Sequence, residues 1–228
     1  NGEKITAMFP IQEFADDKFL FFVTRQGIAK RIVLSDLQNI RRAGLRALNL
    51  NEDDALVDVR LTDGEQNILI ATHEGKAICF DENEVRAMGR VATGVRGIKL
   101  AEGARVAAFN VVPAGKVAWT YEEGENGLTS GSGAVVLTVA GDSDALPGTE
   151  NGAAKVTPLE MYPTKGRATG GVRSQRFLKG QNTLILAWVG LYPLHASTSA
   201  GSPVELPKPD MRRDGSGVDL ASPIAFIA

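Results

Sequence analysis

The sequence is short of the residues that several kinds of chemistry require. It holds one cysteine, Cys79, in 228 residues, so no disulfide forms within the chain and no cysteine zinc site is available. A lone thiol suits a reducing cytoplasm. The two histidines, His73 and His195, lie 122 positions apart, and each reads as a surface residue rather than half of a metal site. Long apolar runs are missing too. The longest, Thr183 to Leu194, is too short to cross a bilayer, no signal peptide opens the chain, and no membrane partner is expected. An excess of charge of one sign is likewise absent: 25 Lys and Arg face 27 Asp and Glu, for a net −2 and a pI near 5.8. That balance argues against a nucleic-acid partner if the charges are evenly mixed. Asp142-Ser143-Asp144 opens like a calcium loop, but Leu146 and Ala153 stand where ligands are needed. No glycine word sits in a strand–helix unit, which excludes nucleotide loops, and no cofactor is expected. A start at Asn1 rather than methionine reads as a piece of a longer polypeptide.

Glycine, by contrast, is plentiful: 25 of 228 residues, about 11% against a usual ~7%, which implies many tight turns and short strands. The word T-x-x-G occurs four times, at Thr24–Gly27, Thr72–Gly75, Thr138–Gly141 and Thr198–Gly201, the first three closing apolar β-rich runs. Such a run entering a glycine turn is a hairpin signal. A second anchor follows each word: Ala47–Leu50, Gly97–Leu100, Ser174–Phe177 and Gly217–Leu220. A further apolar strand follows each anchor, at Ala55–Leu61, Arg105–Val112, Thr183–Val189 and Ile224–Ile227. The unit is about 48 residues of short antiparallel strands without a helical period, the mark of a propeller blade. The chain therefore reads as one all-β, propeller-like domain of about four blades, approximately 12–61, 62–116, 133–190 and 191–228. A strand over 1–11 is ascribed to a preceding blade. Acidic, loop-like insertions occupy 117–132 and 142–152.

The basic residues cluster in phase with the repeat. Arg25 to Arg46 holds Arg25, Lys30, Arg31, Arg41, Arg42 and Arg46 against Asp36, a net of +5. Arg86 to Lys99 holds Arg86, Arg90, Arg96 and Lys99, for +4, and Lys165 to Lys179 holds Lys165, Arg167, Arg173, Arg176 and Lys179, for +5. The remainder of the chain must then carry −16, so the acidic pI conceals a discontinuous basic band. Equivalent positions on successive blades would meet the phosphates of a duplex. The expected DNA contacts are Lys30, Arg31, Arg41, Arg42, Arg46, Arg90, Arg96, Lys165, Arg167 and Arg173. Glycines flank the arginines each time, and a glycine lets the main chain approach a phosphate. A simple hairpin turn accounts for any one of them equally well.

Two of these words carry a family resemblance. Arg86-Ala87-Met88-Gly89-Arg90-Val91-Ala92-Thr93-Gly94-Val95-Arg96-Gly97-Ile98 and Tyr162-Pro163-Thr164-Lys165-Gly166-Arg167-Ala168-Thr169-Gly170-Gly171-Val172 resemble successive blades of the C-terminal domain of bacterial DNA gyrase A subunits. Asn1 to Ala7 with Gly27 to Arg31 resembles the blade before them. The likeness covers about 1–112 and 153–190. It implies a β-pinwheel, in which neighbouring blades exchange a strand and double-stranded DNA bends around a basic rim. It also implies partners in the gyrase B subunit, and in the remainder of the A subunit, in a bacterial cytoplasm beside the nucleoid. The family's Q-R-R-G-G-K-G-like box is absent here, so the fragment starts after the first blade or the parent resembles topoisomerase IV. A protein-interaction propeller stays open as a third reading. The family's strand-cleaving tyrosine lies in a distant N-terminal portion. Tyr121, Tyr162 and Tyr192 read as packing or rim residues, making this chain a binding module without a catalytic site of its own.

Overall fold

A computed structural model describes residues 5–123, 129–146 and 149–228; the opening Asn1 to Lys4 and Glu125 of the first insertion lie outside them. The described residues form β-strands joined by turns, with four single-turn 3-10 segments as the helical content. The first sheet is built on a hairpin, β1 (Phe19–Thr24) and β2 (Ile28–Val33), with β3 (Leu56–Thr62) on the far side of β1. The second repeats this with β4 (Gln66–Thr72) and β5 (Lys76–Asp81). Two residues, β6 (Val95–Arg96), leave this repeat to pair with β2 of the first sheet, and β7 (Val106–Pro113) then returns beside β4. A hairpin of β8 (Thr120–Glu123) and β9 (Thr129–Ser132) precedes the third sheet. That sheet comprises β10 (Ala134–Gly141), β11 (Ala153–Pro158) and, after β12 (Val172–Arg173) has crossed to β5, β13 (Thr183–Leu191). The fourth holds two-residue strands β14 (Ala196–Ser197), β15 (Pro203–Val204) and β17 (Phe226–Ile227), while β16 (Val218–Asp219) crosses to β11. Every repeat after the first thus lends a short strand to the sheet before it.

The cores lie between successive sheets, and strand alternation explains how. On β4, Ile68 and Ile70 face the first sheet with Phe21, Val23 and Phe109, while Leu69 and Ala71 face the third with Val136 and Val189. Side chains two apart share a face, so one strand seals two cores, and β4 is buried along nearly its whole length. A third cluster joins the third and fourth sheets through Trp119, Leu137, Val156, Val204 and Leu220. Cys79 sits in the second cluster, and burial raises its thiol to about 11, which leaves it protonated and inert.

Several expectations change. Residues 5–11 are not a strand; Phe9 instead packs against Phe22, Ile32 and Val59 on the outer face of the first sheet. The insertion 117–132 is not simply loop, because β8 and β9 pair across it. Three of the T-x-x-G words are turns of one design: the glycine N–H meets the threonine carbonyl, and the threonine Oγ1 accepts from the N–H of the following residue, at Ile28, Lys76 and Ser202. The third word is two residues out of register. Val139 opposes Ala154 as Val23 opposes Ala29, so Ala140 stands where Thr24 does, and Thr138 is buried mid-strand. The 142–152 insertion supplies the turn there.

Candidate nucleic-acid interface

The crossing strands put the basic words on equivalent edges of successive sheets. Ile28 opposes Arg96 and Lys76 opposes Arg173. Upstream of each crossing strand the loop lies along the same edge, its main chain bonded to the sheet: Met88 N–H to Arg31 O at 2.9 Å, Lys165 N–H to Cys79 O at 3.1 Å, and Asp210 N–H to Val156 O at 2.8 Å. Glycine is required at the bend. A Cβ on Gly94 (φ +94°) would fall 2.7 Å from Ala29 O, and one on Gly171 (φ +70°) 2.6 Å from Ala77 O, closer than a side chain tolerates. After that bend the chain alternates, leaving Val95 and Val172 half-buried and Arg96 and Arg173 exposed. The first repeat carries the same word, Gly44-Leu45-Arg46, with Gly44 also at positive φ and Arg46 exposed.

Neighbouring loops are also joined to each other. Ala168 N–H donates to Gly97 O at 2.7 Å, Lys99 N–H to Thr169 O at 2.9 Å, and Arg176 N–H to Gly215 O at 2.9 Å. Side chains add to these bonds: Asn49 Nδ2 donates to Val91 O, Arg167 to both Glu84 O and Arg96 O, and Arg213 to Arg173 O. The second, third and fourth loops are therefore joined by main-chain bonds and the first is tied to the second through side chains, so that the four form one continuous ribbon.

The ten expected contact residues divide on this ribbon. Arg41, Arg42, Arg46, Arg90, Arg96, Lys165 and Arg173 are exposed, and Arg167 is half-buried with two of its N–H groups engaged. Lys30 and Arg31 are corrections. The Lys30 side chain is fully buried, and its ammonium donates to Ala47 O, Arg90 O and Ala92 O at 2.6–2.8 Å; burial also lowers its pKa. It ties the first and second basic loops together and has no route to a phosphate. Arg31 lies over the Phe19 ring and reaches Glu82 at 3.3 Å and Asn83 Oδ1 at 2.8 Å. Glu82 is itself fully buried and also accepts from the Thr62 hydroxyl and the Gln66 N–H. Nothing in the sequence pattern marked Glu82 as a partner, because the matching positions of the other repeats hold Leu34 and Leu159. Among the described residues the ion pairs are Arg31–Glu82, Arg60–Asp58 and Arg212–Asp210. Apart from Arg31, the arginines of the first three basic loops therefore have no described carboxylate partner.

A propeller whose blades trade edge strands, with a basic ribbon along the traded edge, defines the class of architecture. The family model described as "DNA gyrase C-terminal domain, beta-propeller" matches residues 18–63, 66–113 and 148–185, and the chain belongs to that family. Among curated relatives, the A subunit of DNA gyrase from Haemophilus influenzae is 37% identical over 82% of this chain and 21% of its own length. Its counterpart in Staphylococcus aureus is 33% identical over 94% of this chain and 22% of its own. The chain thus spans about a fifth of these relatives. Solved folds agree: a C-terminal domain of DNA topoisomerase IV superposes with a TM-score of 0.73 at 24% identity, covering 96% of this chain and 64% of that one. A DNA gyrase A C-terminal domain gives 0.66 at 17%, covering 95% and 67%.

Proposed function

We propose that this chain binds duplex DNA along its basic ribbon and bends it, as the wrapping domain in the A subunit of gyrase, a type IIA topoisomerase. The observation that carries the reading is the recurrence of Arg46, Arg96 and Arg173, each exposed directly after a glycine bend in successive repeats. Three such positions on adjacent blades match a polyanion that runs past all of them, and a short acidic peptide would need only one. Because the contacts are to phosphate, base sequence enters only through bendability. In this reading cleavage and strand passage belong to the B subunit together with the rest of the gyrase A protein. Gyrase is favoured over topoisomerase IV because the sequence relatives in H. influenzae and S. aureus are gyrase proteins, while the likeness to topoisomerase IV is one of fold.

With Lys30 and Arg31 removed from the contact set, about six phosphates are met. The logarithm of the binding constant for random-sequence duplex should then fall with log salt at a slope of roughly −5. A slope near zero in fluorescence-anisotropy titrations would overturn the assignment and favour a protein-docking propeller.

A further inference from the structure

The fourth edge position keeps the scaffold of the others and reverses their charge. Asp219 opposes Ala153 on β11 as Arg96 opposes Ile28 and Arg173 opposes Lys76. Asp210, bonded through its N–H to Val156 O, stands where Lys165 is bonded to Cys79 O. A glycine again stands two residues upstream, Gly217, without the positive φ of Gly94 and Gly171, and a Cβ on it would lie 2.6 Å from Ala153 O. The stitch to the preceding loop is retained, through Arg176 N–H and Gly215 O. The charge count is not. Residues 86–96 carry Arg86, Arg90 and Arg96 without an acid, and 162–173 carry Lys165, Arg167 and Arg173 without one. Residues 207–219 carry Lys208, Arg212 and Arg213 against Asp210, Asp214 and Asp219, which cancel.

The two arginines of this loop are also engaged by the protein itself, although Arg212 stays exposed and Arg213 half-buried. Arg212 Nε lies 3.5 Å from Asp210 Oδ1, and Arg213 donates to Arg173 O. The β8–β9 hairpin abuts the same loop, with the Tyr121 hydroxyl 3.4 Å from Met211 Sδ. Carboxylates repel a phosphate where the three preceding positions attract one.

We propose that Asp219, with Asp210, ends the DNA track: the duplex follows the ribbon as far as Lys165–Arg173 and leaves it before the fourth blade. This rests on the DNA reading above and adds to it a boundary and the residues that set it. A track bounded at this end fixes where on the domain the duplex departs.

The test is a gain of function in the chain as it stands. Asp219 is exposed, and Asp219→Arg restores the arginine of the other repeats. The expected result is a salt slope steeper by about 0.9, affinity at low salt raised roughly fivefold, and a hydroxyl-radical footprint extended at one end only. Asp219→Asn, which removes the repulsion and adds no contact, should raise affinity about twofold with the slope unchanged. If wild type binds with a steep slope and neither variant changes affinity or footprint, the track does not stop at Asp219. A flat slope in the wild type sinks the DNA reading itself, and the boundary with it.

Discussion

Lys30 and Lys155 occupy the same place in two blades, with one blade between them, yet their surroundings differ. Each follows the alanine that opposes the valine of a crossing strand, Ala29 with Val95 and Ala154 with Val218, and each is almost entirely buried. The Lys30 ammonium meets three carbonyls from two basic loops. Lys155 donates to the Thr157 hydroxyl, and burial lowers its pKa to about 8 despite the attraction of Asp210 and Asp214. Between them, the second blade carries Ile78 at this position. The position therefore accepts either a buried apolar side chain or a lysine, and the loop laid over it decides whether a charge there is useful. Under an arginine loop rich in free carbonyls the lysine is a staple; under the neutral fourth loop it is a desolvated cation with few partners.

The same substitution should break this equivalence in opposite directions. Lys30→Met keeps the stem and strands three carbonyls, so it should cost about 3 kcal/mol in urea unfolding and loosen Arg90 enough to weaken DNA binding. A cost under about 1 kcal/mol would show that water replaces the staple. Lys155→Met should be close to neutral at pH 7, or stabilising, because it exchanges a poorly compensated buried charge for an apolar chain of similar size.

The pH profile sharpens the contrast. The unfolded chain holds the Lys155 proton up to its ordinary value near 10.5, whereas the folded chain releases it at about 8. The unfolded state therefore binds more protons between these values, and stability rises with pH across that window. The cost of burying the charge is fully present below pH 8, and its relief by pH 10.5 is on the order of 3 kcal/mol. The advantage of Lys155→Met over wild type should shrink accordingly, and an advantage constant from pH 7 to 10.5 would contradict the geometry.

The smallest effects on folding belong to the exposed ribbon. Arg96→Ala and Arg173→Ala should each change stability by less than about 0.5 kcal/mol and reduce the salt slope by about 0.9. Arg167→Ala should disturb both properties, since its guanidinium also holds Glu84 O and Arg96 O. Loss of DNA affinity on a single base sequence would contradict phosphate contact for any of the three.

Much of the fold was legible because its cues are local. Apolar runs at Phe19–Val23 and Asn67–Ala71 lead into threonine-capped glycine turns, and a two-residue side-chain period needs only neighbours to be read. Where a cue was borrowed by chance the reading slipped, as at Thr138, which matches the turn word yet lies within β10, two residues before the position that Thr24 holds in its own repeat. The basic loops were legible as charge along the chain, and eight of the ten expected residues do reach the surface at least in part. Lys30 and Arg31 did not, since their partners lie 60 and 51 positions away, at Arg90 and Glu82.

By itself the sequence determined an all-β repeat, its phase, and the positions at which positive charge accumulates, because turns, strand period and composition act over a few residues. Only the tertiary structure decided which of those charges are staples and which face solvent. That choice depends on the strand each repeat lends to the one before it. The exchanged strand lays a loop from one repeat over a side chain of another, and the burial and hydrogen bonds so created have no counterpart in local sequence.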